Sequence, residues 1–207
     1  MQFEATSSQM SFAADQLTQL RKSAGERLSE RVTTELAALA MGGAALEVRI
    51  SPLPGFESSG MDKVELLLAA HHGAEPRPLG KGASGGELSR IMLAIELVLS
   101  SNQVLPTMIF DEVDAGVGGA AAIELGRRLS QLAQSTQVIV VTHLPQVAAF
   151  ADHQIRVAKD VSGEITESSV SLLSRSEREA ELARMLSGNS TSEVALEHAR
   201  ELLDFQK

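Results

Sequence analysis

The stretch TMIFDEVDAGVGG (residues 107–119) contains the pattern that decides the fold class. Four strand-forming residues, 107–110, run directly into the acidic pair Asp111 and Glu112, and a glycine-rich turn follows. Behind the turn, apolar residues at helical spacing predict a helix from about Ala120 to Ala133. This order of strand, turn and helix is typical of an α/β fold with a parallel sheet, whose strands are buried on both faces.

A second strand of the same kind, QVIVVT (137–142), ends at His143. The carboxyl ends of neighbouring parallel strands meet at one edge of an open sheet, where ligands bind. Asp111 is suited to hold Mg²⁺, which prefers a carboxylate or two together with phosphate oxygens and waters. Glu112 could orient or deprotonate a water, and His143 could reach a phosphate from the same edge. Each residue alone also has an ordinary structural interpretation, so the prediction depends on their joint order.

The stretch KGASGGELSR (81–90) places Ser-Gly-Gly in front of a helix. Ser84 and Glu87 have the spacing of a capping box. Glycine in a first helical turn costs up to about 1 kcal/mol, so Gly85 and Gly86 indicate that something approaches the backbone closely. The exposed N–H groups of a helix N-terminus favour a phosphate there, and a plain capped helix is the alternative. The apolar residues behind the motif predict one buried helical face: Leu88, Ile91, Met92, Ile95 and Leu99.

Composition excludes several classes of protein. The 207 residues include no cysteine, so neither a disulfide framework nor a thiolate metal site is possible. No apolar run approaches a membrane span, and the N-terminus does not resemble a signal peptide, so we expect a cytoplasmic protein without membrane contact. The net charge is −9, and there is no Trp or Tyr. We therefore expect weak DNA binding or none by this chain.

The first forty residues differ from the rest of the chain. The a/d spacing of a coiled coil is followed by Met10, Ala13, Leu17, Leu20 and Ala24. After Ala24 the apolar residues recur every four residues, which breaks the heptad pattern. The pattern fits either the end of a longer coiled-coil arm or a simple amphipathic helix. Because Gly42-Gly43 ends the helix, we predict a helical segment over 1–41 and a lobe over 42–207. Strands are predicted over 45–50 and 64–70, with a loop over 51–60.

Two further patterns point to other sites. The run GVGGAA (116–121) fits G-x-G-x-x-A after a strand, as in a dinucleotide site. The next strand, however, lacks an acidic residue at its end, and three carboxylates crowd the turn where a pyrophosphate would lie. His71-His72 lacks a third ligand at metal spacing, so it is interpreted as a solvated strand end.

Several motifs together resemble ATP-binding-cassette ATPases. ASGGE (83–87) resembles their signature motif, TMIFDE (107–112) their Walker B strand, VDAG (113–116) their D-loop and VVTHLPQVAAFAD (140–152) their switch-histidine region. With ELARMLSGNSTSEVALEHARELL (181–203), the sequence most resembles the RecN family of bacterial DNA repair proteins, relatives of the structural-maintenance-of-chromosomes (SMC) proteins. Glu87 stands where transporters usually carry Gln, which favours the chromosome-type branch of the family. Ala83 departs from the Leu that is common at this position of the signature motif, a change we expect the packing to tolerate.

The resemblance implies a fold and an activity. The fold is an α/β C-terminal lobe of an ATP-binding-cassette head, preceded by a coiled-coil stump. The activity is ATP hydrolysis with Mg²⁺, serving double-strand-break repair and recombination through ATP-driven dimerisation of two heads. Asp111 would ligate Mg²⁺ directly or through water, Glu112 would be the hydrolytic base, and His143 would sense the γ-phosphate. The remaining residues implied to bind the nucleotide are Ser84, Gly85 and Gly86, acting on the partner head, and Asp114.

The phosphate loop G-x-x-x-x-G-K-[ST] does not occur in the 207 residues. In the family this loop lies in an N-terminal lobe beyond a long coiled coil, so the resemblance implies a C-terminal piece that is inactive alone. Its implied partners are that missing lobe, a second head and, for the full-length protein at the nucleoid, DNA ends. The alternatives are the head of another SMC-like or transporter-type ATPase, and a non-catalytic interaction module that lacks the phosphate loop.

Overall fold

The computed structural model describes residues 2–81, 83–99, 107–160 and 167–205, which form two compact units, 1–101 and 102–207. Both combine helices with sheets, and the strands pair in parallel in one sheet and antiparallel in the others. This confirms the predicted α/β class. Within the described ranges, no helix combines the length and the apolar character that crossing a membrane requires.

The first unit is built on a long helix, α1 (Gln2–Ala38), and an antiparallel sheet. The sheet contains β1 (Ala45–Glu57), β2 (Gly60–Ala69) and the short β3 (Arg77–Pro78), in that order. Helix α2 (Gly85–Leu99) packs against α1. The buried residues come from all these layers and include Val32, Leu36, Leu46, Leu67 and Leu93.

Hydroxyl groups of α1 accept hydrogen bonds from backbone N–H groups at the outer edge of the sheet. Ser29 Oγ accepts from Val48 N at 3.0 Å, and Thr33 Oγ1 accepts from Leu46 N at 3.1 Å. Among the described residues β1 is an edge strand, so these N–H groups have no neighbouring strand there to bond. Two hydroxyls on one helical face therefore join α1 to the sheet where the ladder ends.

The second unit contains a parallel pair of strands with helices beside it. Strands β4 (Thr107–Phe110) and β5 (Gln137–Val140) form the pair, and α3 (Gly119–Ala133) connects them. After α4 (Pro145–Ala148) come the antiparallel strands β6 (Ile155–Asp160) and β7 (Glu167–Leu172). Helices α5 (Arg175–Ser187) and α6 (Glu193–Asp204) end the chain and share a small apolar core with α4.

Two predictions about strands were wrong. The predicted loop 51–60 is mostly strand, since β1 continues to Glu57 and β2 begins at Gly60. The two prolines there are tolerated because β1 lies at the sheet edge and its register shifts between Pro52 and Glu57. Nor are β4 and β5 buried on both faces, because Ile109 is 70% exposed and Val141, just after β5, is 59% exposed.

The apolar face predicted for α2 was only partly right. Ile91 and Ile95 are buried, whereas Leu88, Met92 and Leu99 are each 37–39% exposed. The helix carries apolar residues around most of its circumference, so periodicity could not select the face that this unit covers.

The a/d residues of α1 lie beside its packed face. Met10 and Leu20 are exposed, Leu17 is half-buried, and burial falls instead on Ala14, Gly25, Val32 and Leu36. The coiled-coil continuation of this stripe stays a prediction. The helix ends at Ala38, close to the predicted stop.

Candidate nucleotide site

The parallel pair brings the acidic turn and the histidine to one edge. Phe110 pairs with Val140, and Phe110 O accepts from Val141 N at 3.0 Å. Since the strands run in parallel, the residues after both strands emerge at the same edge of the sheet. Asp111 and Glu112 follow β4, and Thr142 and His143 follow β5. The structure therefore has the strand arrangement on which the site prediction depended.

Asp114 joins the two segments at this edge. Its side chain is 3% exposed, and its Oδ2 lies 3.2 Å from His143 Nδ1. The same oxygen accepts from Thr142 Oγ1 at 2.5 Å and from His143 N at 3.1 Å. Thr142 Oγ1 also accepts from Leu144 N at 3.0 Å, which closes the turn. One buried carboxylate thus holds the segment that carries the histidine.

Asp111 and Glu112 are exposed at the end of β4. Glu112 has φ of 55°, in the left-handed region, which costs a residue with a side chain roughly 1–2 kcal/mol. Ala115 N donates to Glu112 O at 3.0 Å within this turn. Strained backbone of this kind is concentrated at functional sites. The described residues contain no group of three His, Asp or Glu that could hold a metal ion, so Asp111 offers a single carboxylate.

Sequence reasoning missed two residues that hold the histidine segment. Thr142 stands directly before His143, and only its position in V-V-T-H could have drawn attention to it. Arg178, on α5, donates from Nη2 to Ala151 O at 2.7 Å and to Ala149 O at 3.3 Å, just after α4. Burial lowers the pKa of this guanidinium. No sequence pattern links Arg178 to the histidine segment.

The Ser-Gly-Gly motif lies in the first unit and forms the predicted capping box. Glu87 Oε2 accepts from Ser84 N at 2.8 Å and from Ser84 Oγ at 3.1 Å, while Glu87 N donates to Ser84 Oγ at 3.3 Å. The bond from Ser84 N lowers the pKa of the Glu87 carboxyl, outweighing the opposing effect of partial burial. Ser84 and Gly85 are exposed and Gly86 is buried; Gly82 lies outside the described residues. The motif therefore presents a capped, accessible helix N-terminus.

Known proteins match this chain along most of its length. It is 51% identical to the DNA repair protein RecN of Streptomyces coelicolor, over 97% of this chain and 37% of that protein. The chain matches the C-terminal portion of RecN. The RecN proteins of Haemophilus influenzae and Deinococcus radiodurans are 43% and 49% identical to it, over 95% and 88% of the chain. The chain spans about a third of the length of these RecN proteins. No protein-family profile matches it.

Solved structures similar to this chain are SMC heads. One comes from work on ATP-driven dimerisation and DNA-stimulated activation of SMC ATPases, with a TM-score of 0.51, 20% identity and coverage of 82% of this chain and 98% of that one. Another is the Smc head with a coiled coil and joint from Pyrococcus yayanosii, with a TM-score of 0.57, 22% identity and coverage of 78% and 29%. At this identity they show the fold, an SMC-type head.

Proposed function

We propose that this chain is the C-terminal part of an ATPase head in a RecN-type protein for double-strand-break repair and recombination, and that it acts through ATP-driven dimerisation of heads. One observation carries the proposal: the buried Asp114 ties the acidic turn after β4 to His143 after β5, in a chain that matches RecN. Each of these residues alone is common in loops. Their convergence at one sheet edge is suited to a phosphate and its metal ion.

Asp111 fits Mg²⁺ as a ligand. It is exposed at the carboxyl end of a parallel strand, and Mg²⁺ needs only one or two protein carboxylates when phosphate oxygens and waters complete its shell. When bound, Mg²⁺ would stabilise negative charge on the phosphate oxygens of ATP. Asp111 would bind it directly or through a water.

Glu112 and His143 take different roles at the same edge. Glu112 projects from a strained turn and would orient and deprotonate the attacking water as general base. His143, with its side chain 75% exposed, is free to contact the γ-phosphate. Asp114, implied by the resemblance to bind nucleotide, is already engaged by Thr142 and His143, and we propose that it acts through them.

The Ser-Gly-Gly helix end acts on the nucleotide of a second head. Ser84 Oγ and the N–H groups of Gly85 and Gly86 would donate to its γ-phosphate, aided by the helix dipole. The Ser84 hydroxyl has a single proton, which it donates to Glu87 Oε2 in this structure, so it would have to turn that proton from Glu87 to the phosphate when the heads meet. The partner of this surface is a second copy of the head.

The rest of the protein would supply the phosphate loop and cover two apolar sheet faces. On β4–β5 the exposed residues are Ile109, Ile139 and, just beyond β5, Val141. On β6–β7 the cross-strand pairs Ile155–Leu172 and Val157–Val170 are all 61–69% exposed. Fully burying one such side chain contributes roughly 1.5–3 kcal/mol, so covering these faces would favour docking of the lobe that carries the phosphate loop. We assign DNA binding, at the nucleoid, to parts beyond this acidic chain.

The test uses a longer protein that contains both this chain and an N-terminal lobe with the phosphate loop. We expect Glu112→Gln to abolish ATP turnover while an ATP-dependent dimer accumulates, as measured by light scattering. Glu201→Gln, the same carboxylate-to-amide change at an exposed position of α6, is the matched control and should retain turnover. A Glu112→Gln protein that hydrolyses ATP normally, or stays monomeric with ATP, would contradict the proposal.

A further inference from the structure

Asp114 makes its bonds far from its own place in the sequence. Thr142 and His143 lie 28 and 29 residues along the chain, so these are tertiary contacts and not a local cap. The Thr142 hydroxyl and the His143 backbone amide both donate to one oxygen, Oδ2, and the ring nitrogen Nδ1 of His143 lies 3.2 Å from it. A buried carboxylate must be satisfied by donors, and here one short segment supplies all three contacts. The position of the His143 ring is therefore coupled to Asp114.

The contact with the ring determines where the imidazole proton lies. A carboxylate at neutral pH only accepts hydrogen bonds. Oδ2 is 3.2 Å from His143 Nδ1, so a lone pair on Nδ1 would face the negative carboxylate, whereas a proton there would be attracted to it. The neutral ring then carries its proton on Nδ1, and Nε2 holds the free lone pair.

We propose that Asp114 is a positioning residue that keeps the proton of His143 on Nδ1 and leaves Nε2 for the ligand. The side chain of His143 is 75% exposed, so Nε2 is the nitrogen that remains accessible. That the ligand at Nε2 is a nucleotide rests on the proposed function, but the position of the proton does not.

Thr142 allows the positioning effect to be separated from general loosening of the turn. Its hydroxyl donates to the same Oδ2 at 2.5 Å but does not touch the ring nitrogen. Thr142→Val removes this bond and leaves the contact between Asp114 and His143 Nδ1 in place. Asp114→Asn keeps the size of the side chain and removes the negative charge that favours the Nδ1 proton.

The test is a two-bond ¹H–¹⁵N correlation spectrum of the 207-residue chain labelled with ¹⁵N-histidine, without nucleotide. The chain has five histidines, and His143→Gln assigns the signal. We expect Nδ1 of His143 at the shift of a protonated nitrogen and Nε2 at that of an unprotonated one. Asp114→Asn should move the two nitrogen shifts of His143 toward those of the opposite tautomer, whereas Thr142→Val and the control Glu201→Gln should leave them unchanged.

Two results would overturn the proposal: a wild-type spectrum with the proton on Nε2, or an Asp114→Asn spectrum identical to wild type. If Asp114→Asn does not fold, the wild-type spectrum still decides, because it reports the tautomer directly. An ATPase assay on the protein with its phosphate loop then tests the proposed function separately. A confirmed tautomer with no turnover would contradict only the proposed function.

Discussion

Replacing Gly126 by alanine tests whether close packing of α3 sets the position of the histidine segment. Gly126 is buried in α3, and an added Cβ would fall on the ring of Phe150 and lie 3.1 Å from Gln146 O. Phe150 is 7% exposed, so its ring has little room to move. Since α4 follows His143 almost directly, a displaced ring would disturb the segment that Asp114 holds.

Two opposing effects set the magnitude of the change. Alanine is better than glycine inside a helix by about 0.8–1.0 kcal/mol. Forcing an extra methyl group into a packed interior costs about 1–3 kcal/mol. The Cβ of an alanine here would lie well inside contact distance of a buried ring, so we take the upper part of that range. We therefore expect Gly126→Ala to destabilise this unit by about 1–2 kcal/mol.

Hydrogen exchange followed by mass spectrometry measures this change locally. It is preferable to global unfolding because the chain has two compact units and no Trp or Tyr as a probe. A loss of 1–2 kcal/mol should speed exchange in α3 and α4 by roughly 5–30-fold. Peptides from β1 and β2 serve as the internal control, and Phe150→Leu should partly restore protection in the double variant. Unchanged or slower exchange with Gly126→Ala would refute the reasoning.

The remaining predictions concern three other sites. Burial opposes ionisation of Asp62, but hydrogen bonds from Arg21 and Thr18 and the nearby positive charges outweigh it and lower its pKa. The ionised Asp62 should stabilise the fold fully at pH values above the ordinary carboxyl pKa of 3.8, and this stabilisation should disappear as the pH falls through the lowered pKa of the folded protein. The melting temperatures of wild type and Asp62→Asn should therefore converge in acid. Ser84→Ala should destabilise α2 by about 0.5–2 kcal/mol, measured as faster hydrogen exchange in its peptides, because it removes the N-cap acceptor of α2. Glu112→Gly should match the stability of wild type or exceed it by up to about 1 kcal/mol, because glycine adopts positive φ without strain. Glu112→Gln should keep the backbone strain and therefore the stability of wild type.

The sequence predicted the local elements of the site well. The strand over 107–110 and the capping box at Ser84 and Glu87 appear as expected, because each depends on neighbouring residues alone. The bond between Asp114 and His143 was not predictable, since it depends on how β4 and β5 pair. The left-handed backbone of Glu112 also has no sequence signal, because glutamate is not a residue that favours it.

Errors in burial have a different physical cause. Apolar runs such as 137–141 predict strands covered on both faces, yet Ile139 and Val141 are exposed in this chain. An apolar pattern does not tell a neighbour within this chain from a separate partner, and in the proposed function that partner is the lobe with the phosphate loop. For Met92 and Leu99 of α2 the cause is that apolar residues surround most of the helix, so periodicity could not select the buried face.

The most direct test of the central claim is ATP turnover by this chain before and after it is combined with the N-terminal portion of a RecN protein that carries the phosphate loop. We predict no turnover above background for the chain alone. With the added portion, turnover should appear for wild type and for Glu201→Gln, and be absent for Glu112→Gln. Turnover by the chain alone, or an equal rate with Glu112→Gln, would contradict the account. A stable complex without turnover would support a non-catalytic interaction module instead.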